Sequence, residues 1–288
     1  MKARRMALRR AAAQGLGAVC GCLLALLIAL SLTIFREGYY IHRLERSNAI
    51  QIIYENVQKG ARMVAAAAGL REDILDNLVD TEQVYVAVVR RADEIWHGAT
   101  DQPASPYSDS VTYLQDTVSR ETGRLWDEND TALYRNIQLI CDDMWRTNAV
   151  PPLSNLLNLL MQYRRLVWAP MALLAAALVA CLWLQVRFCR GWRQLYSALF
   201  GMGTAIALGS VLGMLAINAG GWQNWMPASD AGYGLYYEWF SPLPAMLAAC
   251  GIGLAGIVWL CALVALAMAS RRAAQNTKRS TVEQSGKP

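Results

Sequence analysis

The residues able to carry chemistry are few and scattered. His42 and His97 are the only imidazoles in a chain of 288 residues. A zinc site needs several convergent ligands, and neither histidine stands in an HExxH or CxxC setting, so both read as surface residues. Cys20 and Cys22 have no metal-binding spacing and lie in an uncharged apolar run, where thiols behave as small hydrophobes. The acids of Asp142-Asp143 and of the stretch WDENDT read as solvated helix ends, and Asn129-Asp130-Thr131 fits a glycosylation acceptor. There is no Walker loop, GxSxG elbow or kinase set. The sequence therefore names no catalytic residue, no metal ligand and no cofactor, and the expectation is a protein that is not an enzyme.

Two groups of side chains offer binding instead of catalysis. The stretch GWQNWMPASDAGYGLYYEWFSP holds Trp222, Trp225, Tyr233, Tyr236, Tyr237, Trp239 and Phe240, with Glu238 among them. It reads as a contact surface for lipid or a hydrophobic ligand, or as an interfacial belt, since amphipathic rings settle at the headgroup level. Arg164 and Arg165 stand at the end of an apolar run. They could grip anionic headgroups, pair with Glu238, or snorkel from a helix end.

The elements that must carry these groups are set by hydropathy. Residues 15–35, 166–186, 198–220 and 243–269 form apolar runs without Asp, Glu, Lys, Arg or His. About 20 apolar residues at 1.5 Å each cross a hydrocarbon core of about 30 Å. Backbone groups cannot stay unpaired in lipid, so each run must be helical. The first run follows a basic segment, as a signal peptide would, but it is too long and ends in SLTIFREGYY without an Ala-x-Ala site, so it is expected to remain as an anchor. With no ionisable group inside any run, ion-coupled transport and intramembrane proteolysis are disfavoured.

Charge then sets the topology. Lys2, Arg4, Arg5, Arg9 and Arg10 precede the first run with no acid among them. Arg187, Arg190 and Arg193 join the second run to the third, and Arg271, Arg272, Lys278, Arg279 and Lys287 follow the fourth against Glu283 alone. Residues 36–165 carry 14 basic and 19 acidic side chains, and residues 221–242 carry only Asp230 and Glu238. The positive-inside rule places both termini in the cytoplasm of a multi-pass cell-membrane protein, with residues 36–165 and 221–242 outside. The overall charge of +5 is thus topological and does not point to nucleic acid. Of 7 cysteines only Cys141 falls in the outer segment, so that segment cannot close a disulfide within itself.

Residues 36–165 suffice for one small domain with helical periodicity. Ile50, Ile53, Val57, Gly60, Val64 and Ala67 step by threes and fours, a heptad-like seam that continues from the first apolar run. Gly69 reads as a stop, and Asp80 with Gln83 reads as a capping box for a helix bearing Val84, Val88 and Ile95. VYVAVV would also suit a strand, but the helical period persists into RRADEIW. HGATDQPASPYSD reads as a loop. Val111, Leu114, Val118 and Leu125 mark a further helix, and Asp130 caps another through Met144, ended by Pro151-Pro152. The last outer segment runs unbroken into the second apolar run. The fold class expected is all-α: four transmembrane helices with an extracytoplasmic up-and-down helical bundle between the first and second.

Burial from water cannot drive helix association in lipid, so small residues should mark where these spans meet. Gly17, Gly21, Ala25, Ala29 and Thr33 fall at every fourth position of the first span; Ser197, Gly201, Ala205, Gly209 and Gly213 do so in the third, and Ala245, Ala249 and Gly253 in the fourth. These ridges pack within the chain or against another subunit.

A helical domain hung between two spans resembles, in architecture, the sensor domains of bacterial chemoreceptors and kinases. The resemblance implies that the outer bundle senses or docks a ligand or partner and passes its state to a partner protein, since only a short tail follows Ser270. Four spans, inside termini and a large domain after the first span also resemble, in topology, the permeases of FtsX/MacB-type ABC transporters, whose outer domains mix helix and strand. The partners expected are membrane lipids and either a membrane protein or a second copy of the chain.

Overall fold

Helix ends in this protein are written by short-range hydrogen bonds. Thr33 Oγ1 donates to Ala29 O at 2.7 Å, and α1 (Lys2–Leu32) stops just before it. The hydroxyl of Ser47 donates to Leu44 O and accepts from Ala49 N, which separates α2 (Glu37–Arg46) from α3 (Ala49–Ala67). The Ser47 bonds offer the backbone an alternative to the helix, whereas Thr33 N still bonds to Ala29 O as the last helical turn closes. The seam expected to run on from the first span is therefore broken twice before α3 begins.

In α3 the buried stripe is Ala49, Ile53, Val57, Gly60, Ala61 and Ala65, while Ala67 is exposed. A strict seven-residue repeat drifts by about 20° per heptad on a straight helix, which carries the far end of the expected seam out of the core. Gly69 ends α3 at φ +72°, with Leu70 N bonded to Ala65 O and Gly69 N to Ala66 O, a Schellman closure. A 3₁₀ turn, Glu72–Leu78, folds back so that Arg62 grips Asp76 through Nε and Nη2 at 2.6–3.0 Å. α4 (Thr81–His97) opens on the expected capping box: Asp80 N donates to Gln83 Oε1 and Gln83 N to Asp80 Oδ1. VYVAVV is helical.

The remaining helices are α5 (Glu128–Asn148), α6 (Ser154–Phe188), α7 (Trp192–Ala219), α8 (Asp230–Phe240) and α9 (Leu243–Ser285). The computed structural model describes residues 2–97, 105, 107, 115–116, 119–120, 128–189, 191–221 and 230–285. Among them the protein is all-helical, without strands. The expected helix through Val111, Leu114, Val118 and Leu125 lies outside the described residues, as do the side chain of Asp130 and most of the loop before that helix. Among the described residues, 4 helical stretches are long and apolar enough to cross a membrane: Met6–Leu32, Ser154–Phe188, Trp192–Ala219 and Gly232–Arg272. α6 joins residues 154–165 to the second apolar run in one helix that passes through Pro170.

The helices gather into two compact units. The first comprises Met1–Thr33, Arg164–Asn224 and Ser241–Pro288. Its core is a column of apolar side chains in which Met202 and Ile206 of α7 are fully enclosed, with Leu24, Leu178, Ala255, Val258 and Ala262 around them. Its outside is apolar too: Leu173, Val179, Leu212, Leu260 and Val264 all face outward. An apolar exterior of that extent is unfavourable in water and suits lipid. The second unit comprises Ile34–Tyr163 and Trp225–Phe240. Its core is conventional, built on Leu44, Leu75, Val88, Ile137, Trp145 and Leu157, and the one charged side chain buried among the described residues, Glu94, is paired with Arg90 and Arg91.

Candidate functional site

Within the second unit, α2 and α8 meet through an aromatic and ionic junction. Trp239 is fully enclosed and meets the ring of Tyr40 edge-on at 5.1 Å. The Tyr40 hydroxyl donates to Pro152 O at 3.0 Å, and burial holds its acidity far below that of a free phenol. One helical turn on, Arg43 Nη1 pairs with Glu238 Oε2 at 3.3 Å and its guanidinium lies over Tyr39. Tyr236 is also turned inward and stacks obliquely on Phe240 at 4.6 Å.

This geometry corrects part of the surface expected from sequence. Trp239 and Tyr236 are core side chains and present no ring for lipid or ligand to touch; α8 packs against both α2 and α3, which sequence periodicity could not reveal. Tyr237 is exposed, and Glu238 is half-exposed but engaged by Arg43. Arg164 and Arg165 are exposed on α6. Trp222 and Trp225 lie outside the described residues. Of the two histidines, His42 Nδ1 lies 3.8 Å from Glu45 and His97 Nδ1 3.1 Å from Asp93, both on exposed helix faces.

A second feature was not singled out by the sequence. Gly60 on α3 lets α5 approach closely: a Cβ there would stand 2.7 Å from Met144 Sδ. Beside this contact a groove of about 770 Å³ opens between α3 and α5. Met63, Val64, Ile140 and Met144 line its apolar length, and Lys59 and Asn136 supply polar groups. That volume is in the range of small-molecule sites, which combine apolar walls with a few fixed polar groups. Thioether side chains re-pack around varied shapes, so Met63 and Met144 suit a flexible apolar body. The signal in the sequence was the exposed apolar Met63 beside Gly60, but the partner surface on α5 lies some eighty residues away.

The small-residue ridges are contact faces over part of their length. Gly17 abuts Met202 and Cys181, and Gly21 abuts Ile206, so α1 lies against α6 and α7 in its own chain. Ala25 and Ala29 are fully enclosed and share a cluster with Leu247 of α9. On α7, Gly201 meets Gln14, Gly209 meets Cys22 and Gly213 meets Leu247, but Ala205 is exposed. Gly253 has open space where a side chain would stand. A row of every fourth residue rotates by about 40° per step on a helix of 3.6 residues per turn, so a long row cannot face one neighbour throughout. Two close approaches outside the rows complete the packing: Gly203 against Trp259, and Gly251 against Ser210.

Among the described residues no three His, Cys, Asp or Glu side chains gather as metal ligands. No family model, curated protein or solved structure matches the chain.

Proposed function

We propose that this is a non-enzymatic multi-pass membrane protein whose extracytoplasmic helical unit senses or docks a ligand or partner and couples it to the membrane helices, with both termini in the cytoplasm. The observation that carries the reading is the groove between α3 and α5, which has the size and the mixed lining of a binding site. Coupling is supported by α6, a single helix that belongs to the second unit at Ser154 and to the first at Phe188. The absence of strands from the described part of the second unit favours this reading over a permease with a mixed outer domain.

The experiment is native mass spectrometry of the full chain released from lipid nanodiscs, with hydrogen exchange along α6. Ile140→Trp fills the groove from an exposed position and leaves the core untouched. A small-molecule adduct on the wild type, lost in Ile140→Trp together with altered exchange in α6, is the expected result. Identical adducts and identical exchange in both proteins overturn the proposal.

A further inference from the structure

Where the start of α1 meets the start of α7, the first unit holds a cavity of about 300 Å³ lined by Arg10, Gln14, Arg193, Gln194, Ser197 and Ala198. We propose that this cavity binds a phosphate-bearing anion, either a phospholipid headgroup or free phosphate.

The lining is rich in donors: two guanidinium groups, two side-chain amides and a hydroxyl. Arg10 Nη1 reaches Gln194 Oε1 at 3.4 Å, which holds one guanidinium against the start of α7. The backbone at that point is anchored as well, because Gln185 of α6, fully enclosed, donates from Nε2 to Arg10 O at 3.0 Å. Arg272 of α9 lies over the ring of Trp192, the first residue of α7, and so adds a positive charge at this end of the unit without lining the cavity. α7 itself begins here with Gly191 as N-cap and no side-chain cap, so its first amides and the positive end of its dipole add to the field.

Counter-charge is what this end of the unit lacks. Residues 1–33 and 164–224 contain no Asp or Glu, and residues 241–288 contain only Glu283. Guanidinium groups crowded around a shared cavity repel one another unless an anion sits among them. Arginine forks match phosphate oxygens two at a time, which makes phosphate the preferred chemistry over a simple halide. Depth favours the lipid source: Gln14 directly precedes the first apolar run and Ser197 the third, so the cavity lies at headgroup level when those runs span a bilayer.

The test uses the full chain in nanodiscs of phosphatidylcholine alone and of phosphatidylcholine with phosphatidylglycerol, reading retained lipid by native mass spectrometry. A parallel arm in detergent measures the thermal-unfolding shift given by inorganic phosphate against chloride at equal ionic strength. The variants are Arg10→Gln, Arg193→Gln and the double change, with Arg187→Gln as a control that removes one charge at the same end without lining the cavity. Circular dichroism verifies helix content, and Arg10→Lys and Arg193→Lys keep the charge while losing the fork.

Retention of phosphatidylglycerol that falls roughly fivefold with each cavity arginine, and holds in Arg187→Gln, establishes a headgroup site. A phosphate-specific rise in unfolding temperature that disappears in the double variant, without lipid discrimination, assigns the site to free phosphate. Equal losses in Arg187→Gln and the cavity variants, or no discrimination in either arm, overturn the proposal.

Discussion

Arg43 Nη1 stands 3.3 Å from Glu238 Oε2, so an ion pair joins α2 to α8 across 195 positions of sequence. The two members are unequal. Arg43 is 17% exposed and also covers the Tyr39 ring, whereas Glu238 is 36% exposed. Glu238→Gln removes a half-solvated charge and is expected to cost about 0.5 kcal/mol. Arg43→Ala loses the pair and the packing of its stem, and should cost about 2 kcal/mol. Thermal unfolding of the two variants in the same detergent gives the order; a larger loss for Glu238→Gln would show that Arg43 is held by charge alone.

Beneath that pair, Trp239 is the side chain whose truncation should be felt most. Its ring is fully enclosed and braced edge-on by Tyr40. Replacing it with alanine leaves a cavity worth about 3–5 kcal/mol. Tyr237, its exposed near neighbour on α8, should cost less than about 1 kcal/mol on the same change. Denaturant titration monitored by circular dichroism separates the two. A mild Trp239→Ala would restore the view of this ring as a surface anchor.

Close packing of the apolar helices makes an equally direct contrast between two glycines. A methyl group on Gly21 would lie 2.5 Å from Ile206 Cδ1, in a fully enclosed position of the core. Overpacking of this kind costs about 1–3 kcal/mol. A methyl on Gly253 meets nothing within 4 Å, and alanine also raises helix propensity. Gly21→Ala is therefore expected to unfold at lower dodecyl sulfate fraction than the wild type, and Gly253→Ala at the same fraction or higher. The reverse order would remove α1 from the core of its own chain.

What the sequence made legible follows from range. The Asp80–Gln83 box and the Gly69 stop are decided within a few residues, and both can be read directly from the letters. The apolar runs are legible because bilayer thickness dictates their length. The inward turn of Trp239 depends on Tyr40, and the groove beside Gly60 depends on Met144; neither partner is fixed by local pattern. Gly17 and Gly21 were readable as a contact face, but Ala205 and Gly253 were not readable as exceptions, because a four-residue row leaves its own face within a few turns.

Cys141 gives a pH dependence with a definite sign. The thiol is fully enclosed on α5, and burial, with Asp142 as a lesser cause, pushes it from the ordinary 9.0 up to about 12. In the unfolded chain the thiol loses its proton near the ordinary value while the folded protein keeps it. Over that window the folded state binds more protons, so stability falls as pH rises from about 9 to about 12 and is fully present below. The loss from this group is at most about 1.4 kcal/mol per pH unit. Cys141→Ala removes the titrating group, so its unfolding midpoint should decline less steeply across the same window than that of the wild type. In the folded wild type at pH 8 iodoacetamide should leave Cys141 unmodified, and addition of denaturant should expose it to alkylation. Modification of native Cys141 at that pH, or identical pH profiles for the two proteins, would show that α5 does not enclose the thiol in solution.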